Sequence, residues 1–176
     1  MSKLRIALNC GHTESGAGYG AVSGLYKESL ITRQVGGELI RLLRAKGHTV
    51  YDCTVDSAAS QNAYLKDVVM MANRTKADLF ISLHCNASSS HAGYGAEVYT
   101  YRGKKRDQAV HVLYELSRLG FRNRGIKDGS AFYVVANTIA PALLIEMFFL
   151  DNRTDQTLYS KLGYKGIAKA ISEAIA

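Results

Sequence analysis

ALLIEMFF, at residues 142–149, is a nearly continuous apolar run with a single carboxylate, Glu146, inside it. An apolar run of this length is typical of a strand buried in a sheet. The run LFISLH, at residues 79–84, has the same character and ends in His84. These two runs predict two strands of one hydrophobic core. Each strand carries one polar side chain, Glu146 or His84.

Outward from these runs, apolar segments of strand length alternate with segments of helical periodicity. In the segment 27–46, Ile31, Val35 and Leu39 recur at helical spacing, and Gly47 follows as a carboxyl-terminal cap. The predicted strands are 4–9, 48–53, 79–83, 96–101, 132–135 and 142–148, and the predicted helices are 27–46, Ser60 through Ala72, Ala109 to Gly120, and Ile167 to Ile175. This alternation predicts an α/β sandwich with a largely parallel sheet.

Size and composition predict one ordinary globular domain. The 176 residues suit a single core spanning 1–176, with 47% hydrophobic and 21% charged residues.

The formal net charge of +7 favours an anionic partner. Basic residues concentrate in one stretch: Arg102, Lys104, Lys105, Arg106, Arg118, Arg122, Arg124 and Lys127. A solvated helix face with its flanking loops explains that stretch more simply than a binding patch. No aromatic-rich RNA-recognition pattern accompanies it, so nucleic acid is not the expected partner.

Cysteine spacing and apolar segments indicate the environment of the chain. Cys10, Cys53 and Cys85 are odd in number and widely spread, which predicts buried free thiols rather than disulfides or metal ligands. The amino terminus lacks the apolar core of a secretory signal, so we expect synthesis in the cytoplasm. The longest apolar stretch, 141–150, is too short to cross a bilayer. We therefore expect no membrane span, and we also expect the chain to be a monomer.

Four polar residues are predicted to meet at one edge of the sheet. Ligand sites in open α/β sheets form beyond the carboxyl ends of the strands, and His12, His84 and Glu146 all lie near such ends. Glu28 precedes Ile31 by three residues and continues the apolar stripe of its helix, so its carboxylate should face the core. Buried carboxylates and imidazoles are costly unless something pairs them, and a metal is a partner that suits all four.

The ligand types indicate what such a metal does. A His–Glu–His set with an open position is the pattern of a catalytic zinc site, so we predict one Zn²⁺ held by His12, Glu28 and His84. Zinc would lower the pKa of bound water to roughly 7 and polarise a substrate carbonyl. Glu146 would take the water proton and hand it to a leaving nitrogen, which fits amide hydrolysis. Singly, each residue also has a plainer interpretation as a surface or core residue, but that requires four coincidences.

Other candidate motifs carry less weight. His48, His91 and His111 are expected at the surface rather than as ligands. Gly16, Gly18 and Ala21 match a loose GxGxxA, the dinucleotide-binding pattern. The loop opens too late after its strand, and no strand-end acid follows about 20 residues on, so we expect no nucleotide site.

Four segments resemble the zinc-dependent N-acetylmuramoyl-L-alanine amidases, in particular the catalytic domains of phage endolysins and bacterial autolysins. They are NCGH (9–12), YKESL (26–30), SLHCNA (82–87) and IEMFFLDN (145–152), in the family's order and approximate spacing. The resemblance implies a mixed six-stranded sheet flanked by helices, a zinc ion on His12, Glu28 and His84, and Glu146 as the catalytic carboxylate. NCGHTE departs from the family's common DPGHGG at Asn9 and Cys10.

The implied substrate is peptidoglycan, cut at the amide joining the lactyl group of N-acetylmuramic acid to L-alanine of the stem peptide. The enzyme would act on the cell wall after release, and its basic surface would face a polyanionic wall. We find no wall-binding repeats, so 1–176 is expected to be a catalytic domain alone. Three alternatives stay open: a zinc peptidase acting within the stem peptide, a non-catalytic wall-binding module, and a nucleic-acid-binding protein.

Overall fold

Six strands form a central sheet between two layers of helices. The computed structural model describes residues 3–175 of the chain. In spatial order the strands are β5 (Thr49–Asp52), β1 (Arg5–Cys10), β7 (Leu79–Asn86), β10 (Ala142–Phe149), β8 (Ala96–Thr100) and β9 (Asn123–Asp128). Neighbours run parallel except β10 and β8, which are antiparallel. The predicted mixed, mostly parallel sheet is confirmed.

Helices cover both faces of this sheet. On one face lie α1 (Glu28–Ala45), α3 (Asp107–Arg118) and α5 (Arg153–Ile175), and on the other lie α2 (Gln61–Arg74) and α4 (Tyr133–Asn137). Alternate strand residues supply the two cores: Leu143 and Ile145 face the first layer, whereas Leu144 faces the second. The three-layer sandwich is confirmed. Within residues 3–175, no helix is both long and apolar enough to span a membrane.

Two short ribbons lie beside the main sheet, in the loops that follow β1 and β5. One pairs β2 (Ser15–Gly16) with β6 (Ser57–Ala58), and the other pairs β3 (Val22–Ser23) with β4 (Tyr26–Lys27). The second ribbon leads directly into α1, where the buried residues include Ile31, Val35 and Leu39, as the periodicity predicts.

One strand prediction is wrong, and one strand of the six-stranded sheet has no counterpart in the predictions. The residues 132–135 form the start of α4, with Phe132 as its N-cap, rather than a strand. Val134 and Val135 pack into the second core, so tertiary packing outweighs the strand preference of this run. The sixth strand is instead β9, whose sequence NRGIKD is largely polar because it forms an edge of the sheet.

The topology brings the carboxyl ends of three strands together. β7 lies between β1 and β10, and all three run in the same direction. His12 follows the end of β1, and His84 lies near the end of β7. His84 is the register partner of Glu146 on β10. The predicted site residues therefore share one rim of the sheet.

Candidate metal centre

His12 projects from the turn after β1 in an uncommon backbone conformation. Its φ is 69°, in the left-handed region that few non-glycine residues adopt. The backbone N–H of His12 donates to the Tyr64 hydroxyl at 2.7 Å, and Arg33 donates to the His12 carbonyl at 3.0 Å. The ring Nδ1 lies 2.9 Å from the Gly18 carbonyl, which can only accept. In the neutral ring Nδ1 therefore carries the proton, and the lone pair of Nε2 is available to a metal.

Glu28 is the first residue of α1, and only 3% of it is exposed. Its Oε1 lies 3.2 Å from Nε2 of His12 and 3.3 Å from Nδ1 of His84, and accepts the backbone N–H of Cys85 at 2.9 Å. Its Oε2 accepts the backbone N–H of Ala21 at 2.9 Å. Burial raises the pKa of Glu28, but the hydrogen bonds with the two imidazoles outweigh it and hold that pKa well below 4.5. The buried side chain is therefore a carboxylate.

His84 extends from β7 toward the same point. Its Nδ1 faces Glu28, and its Nε2 lies 3.1 Å from Oγ of Ser82. Burial lowers the pKa of His84 and outweighs the opposing effect of Glu28. Burial also lowers the pKa of His12, but there the hydrogen bond to Glu28 prevails and the pKa is raised. The neutral ring of His84 is the form that binds metals.

The three side chains together fit a divalent metal. One ligand atom from each lies within 4.8 Å of the others, and the two imidazole rings meet edge to face with centroids 4.9 Å apart. When Gly18 and Ser82 accept the ring protons of His12 and His84, every atom that converges is a lone-pair donor. Converging lone pairs repel one another unless a shared proton or a metal ion lies between them. Imidazole and carboxylate are ligands that zinc accepts.

Glu146 lies directly beside His84. The two residues are register partners on β10 and β7, and their side chains share one face of the sheet. Glu146 Oε2 is buried and has no hydrogen-bond partner among the residues described. Burial, followed by the charges of Glu28 and Glu97, raises the pKa of Glu146 well above 4.5. A raised pKa makes this carboxylate a stronger base than an exposed one, which suits a general base.

A second buried carboxylate, Glu97, was missed by the sequence analysis. It pairs with Glu146 in the register of β8 and β10. Its oxygens accept hydrogen bonds from Asn86 at 2.7 Å, from the Tyr99 hydroxyl at 2.9 Å and from Arg124 at 2.8 Å. This ion pair compensates the burial of Glu97. The sequence did contain a signal for Glu97. It is a charged residue inside the strand AEVYT, just as Glu146 is a charged residue inside ALLIEMFF.

A pocket of about 530 Å³ lies over these residues. His12, Glu28, His84 and Glu146 all line it. Its other walls include residues of α2 and of the segment entering α4, to which the sequence analysis gave no role: Gln61, Tyr64, Leu65, Phe132 and Tyr133. Phe132 and Tyr133 are each 38% exposed, so aromatic surface is available beside the site. The wrong strand prediction at 132–135 is what concealed this wall.

The remaining predicted thiols and imidazoles lie outside the metal centre. All three cysteines are buried free thiols, as predicted: Cys10, Cys53 and Cys85. Burial raises the pKa of the first two to about 11 and that of the third well above 9.0. His91 and His111 are exposed, as predicted. The surface prediction for His48 is wrong: it is 7% exposed, and its Nδ1 accepts the backbone N–H of Leu4 at 3.1 Å.

The fold and the site define an α/β protein with a candidate catalytic metal centre at the carboxyl edge of its sheet. The family model for N-acetylmuramoyl-L-alanine amidase matches residues 6–176. The chain belongs to that family.

Relatives and solved structures agree with this assignment. The chain is 31% identical to an endolysin of Bacillus phage SPP1, over all of this chain and 66% of the relative. It is 29% identical to the N-acetylmuramoyl-L-alanine amidase LytC of Bacillus subtilis, over 81% of this chain and 30% of the relative. The catalytic domain of the CD27L endolysin targeting Clostridia difficile is similar with a TM-score of 0.88 and 32% identity, covering 98% of this chain and 96% of that one.

Some relatives are considerably longer than this chain. It spans about half the length of two proteins of Clostridium perfringens, to which it is 31% and 30% identical. The matched region in such proteins corresponds to nearly all of the present chain, 98% in both cases. The similarity is therefore to one part of those relatives.

Proposed function

We propose that the chain is a zinc-dependent N-acetylmuramoyl-L-alanine amidase that hydrolyses the amide between N-acetylmuramic acid and L-alanine in peptidoglycan. One observation carries the proposal: ligand atoms of His12, Glu28 and His84 converge within 4.8 Å, and Glu146 beside His84 has a buried carboxyl oxygen with no hydrogen-bond partner in the described part of the chain. Membership of the family supports the choice of bond.

His12, Glu28 and His84 are the proposed ligands of one zinc ion. His12 offers Nε2 because its Nδ1 is engaged by Gly18, and His84 offers Nδ1 because its Nε2 is engaged by Ser82. When bound, zinc supplies Lewis-acid polarisation of the substrate carbonyl and makes water more acidic. The protein orients the imidazoles and keeps the third ligand, Glu28, ionised in a buried position.

Glu146 is the proposed proton carrier. Its carboxylate takes a proton from the attacking water as the new C–O bond forms at the lactyl carbonyl. Its carboxyl group then gives that proton to the amide nitrogen as the C–N bond breaks, so that L-alanine leaves as a free amine. The raised pKa of Glu146 makes its carboxylate a stronger base, which favours uptake of the proton from water.

The proposed partner is the bacterial cell wall, and residues 1–176 are proposed to form a single catalytic domain that acts as a monomer. Net charge of +7 favours association with a polyanionic wall. Similarity to a phage endolysin is consistent with action on the wall after release from the cell. The aromatic wall at Phe132 and Tyr133 offers apolar contact area for the substrate.

The test is digestion of purified peptidoglycan by the zinc-loaded chain, with mass analysis of the products. We expect stem peptides that begin with a free amino-terminal L-alanine and are otherwise intact. Removing the metal with a chelator should abolish release, and adding zinc back should restore it. Cleavage within the stem peptide would instead identify a peptidase. Wall binding without cleavage by the zinc-loaded protein would identify a binding module.

A further inference from the structure

Three buried polar side chains lie behind the proposed metal ligands and take no part in the proton transfers above. Asn9 and Ser82 are fully buried, and Tyr64 is 2% exposed. Asn9 and Ser82 are register partners on β1 and β7, so their side chains share one face of the sheet. Other residues that pack on this face, Ala7 and Phe80, are apolar. Polar groups in such a place are costly unless they are hydrogen-bonded.

These side chains connect the two imidazole ligands. Ser82 Oγ lies 3.1 Å from Nε2 of His84, and Asn9 Nδ2 donates to the same oxygen at 2.9 Å. The Tyr64 hydroxyl accepts the backbone N–H of His12 at 2.7 Å. Burial raises the pKa of the Tyr64 phenol, and hydrogen bonds with Asn9 and His12 partly offset that rise. Polar contacts therefore run from His84 through Ser82 to Asn9 and from His12 to Tyr64, and Asn9 and Tyr64 line the same pocket.

We propose that Ser82, Asn9 and Tyr64 are positioning residues that hold the imidazoles of His12 and His84 in the orientation for zinc. Ser82 accepts the Nε2 proton of His84 and so makes Nδ1 the ligand atom. A hydrogen bond to the ring nitrogen that does not bind the metal fixes both the tautomer and the plane of the imidazole. This inference rests on the proposed zinc site.

Tyr64 acts on the other ligand through its backbone. His12 has a φ of 69°, and conformations of this kind persist only when the surroundings enforce them. The hydrogen bond from its N–H to Tyr64 is one such restraint. Asn9 donates to Ser82 at 2.9 Å and lines the same pocket as Tyr64, so it lies between the supports of the two ligands.

A purely structural role is the alternative interpretation. Two observations favour positioning. Asn9 Oδ1 is buried without a hydrogen-bond partner among the residues described. A network that served only stability would not be expected to leave a buried acceptor unpaired. The network also ends at a proposed ligand on both sides. A structural network would change the free energy of unfolding on substitution, whereas a positioning network changes zinc affinity as well.

Ser82→Ala tests the proposal by zinc affinity, measured in competition with a chromophoric chelator. We expect zinc to bind about 10–100-fold more weakly than to the wild-type protein, the typical effect of losing such a partner. Ser172→Ala is the matched control, because Ser172 is also a buried serine, lies on α5 and has no partner for its hydroxyl within residues 3–175. Its zinc affinity should equal that of the wild type. Equal affinity in a folded Ser82→Ala protein would overturn the proposal.

A second measurement needs no variant. In the zinc-loaded wild-type protein, a ¹⁵N–¹H correlation spectrum of the imidazoles should show His84 protonated at Nε2 and bound to zinc through Nδ1. Binding through Nε2 would overturn the proposal even if Ser82→Ala did not fold. Failure of the proposed function is a separate result, since the wild-type protein would then bind no zinc or release no L-alanine-terminated peptides.

Discussion

The carboxyl group of Glu146 lies in a strand whose other side chains are apolar, between His84 and Glu97 on the neighbouring strands. Its pKa is raised first by burial and then by two nearby carboxylates. Glu28 has the opposite behaviour in the same pocket, because two imidazoles hold its pKa low. Carboxyl groups with divergent pKa values in one site take different roles, here a ligand and a proton carrier.

Glu146→Gln tests the proton-carrier role. The amide cannot accept the water proton, so we expect the rate of peptidoglycan hydrolysis to fall about 10²–10⁴-fold. Zinc content should stay at one equivalent, because Glu146 is not among the proposed ligands. Rates are measured by release of amino-terminal L-alanine. Wild-type rates in this variant would exclude Glu146 from the chemistry.

Glu146→Gln should also change how the stability of the metal-free protein depends on pH. Because the pKa of Glu146 is raised in the folded state, that state binds more protons than the unfolded chain above pH 4.5, and stability falls as pH rises through the folded pKa. Glu146→Gln removes this loss. Its Tm should exceed that of the wild type at pH 7, by about 2–4 °C for each 1 kcal/mol gained, and the difference should disappear below pH 4.

A control for this effect is Glu173→Gln, since Glu173 is exposed on α5. Its Tm should match that of the wild type at both pH values. If the Tm of Glu146→Gln did not exceed that of this control at pH 7, burial of the Glu146 carboxylate would not lower the stability of the fold.

Glu28→Ala should act on metal binding rather than on the chemical step. It removes the oxygen that faces both imidazoles, at 3.2 and 3.3 Å. We expect zinc to be lost on dialysis, with activity recovered only in part at high zinc concentration. Glu38→Ala is the control on the same helix. This variant should retain one equivalent of zinc, because Glu38 pairs with Arg41 rather than with the imidazoles. Metal content by elemental analysis decides between a ligand and a bystander.

At the scale of elements, the loop before the ribbon of β3 and β4 closes one side of the site through Gly20 and Ala21. Gly20 in that loop has a φ of +79°, and a Cβ there would lie 2.7 Å from the His12 ring and 2.8 Å from Oε2 of Glu28. Any side chain at this position would have to displace a proposed ligand. The loop therefore shapes the metal site, although it contributes no ligand atom of its own.

Gly20→Ala is accordingly expected to weaken zinc binding by at least tenfold through displacement of His12 and Glu28. Gly24→Ala is a matched control for the backbone strain, since Gly24 has a φ of +57° but no atom within 4 Å of an added Cβ. Its stability should drop by about 1 kcal/mol without a change in zinc affinity. Isothermal titration of both variants with zinc compares them, and similar affinities in the two would contradict the assigned role of the loop.

Elements with strong periodicity could be predicted from the sequence, and those shaped by tertiary context could not. The stripe of Ile31, Val35 and Leu39 identifies α1 because burial repeats with the helical turn. β9 gives no such signal because an edge strand needs few apolar residues. The residues 132–135 have strand-forming side chains, yet they form a helical turn packed on the second core. Local propensity is too weak to decide such short segments.

At the scale of the whole molecule, parallel strand order explains why the site could be predicted at all. Carboxyl ends of adjacent parallel strands lie on one edge, so His12, His84 and Glu146 follow from chain direction alone. The pocket walls and the network of Asn9, Ser82 and Tyr64 depend on which helix packs over which strand. Periodicity does not encode that choice, so these parts required the structure.

Crystals of the zinc-loaded protein, with anomalous diffraction recorded on both sides of the zinc absorption edge, test the central claim most directly. We predict one strong peak, about 2.0–2.2 Å from Nε2 of His12, Nδ1 of His84 and a carboxylate oxygen of Glu28. A peak at other side chains, or no peak at one equivalent of zinc, would contradict the account.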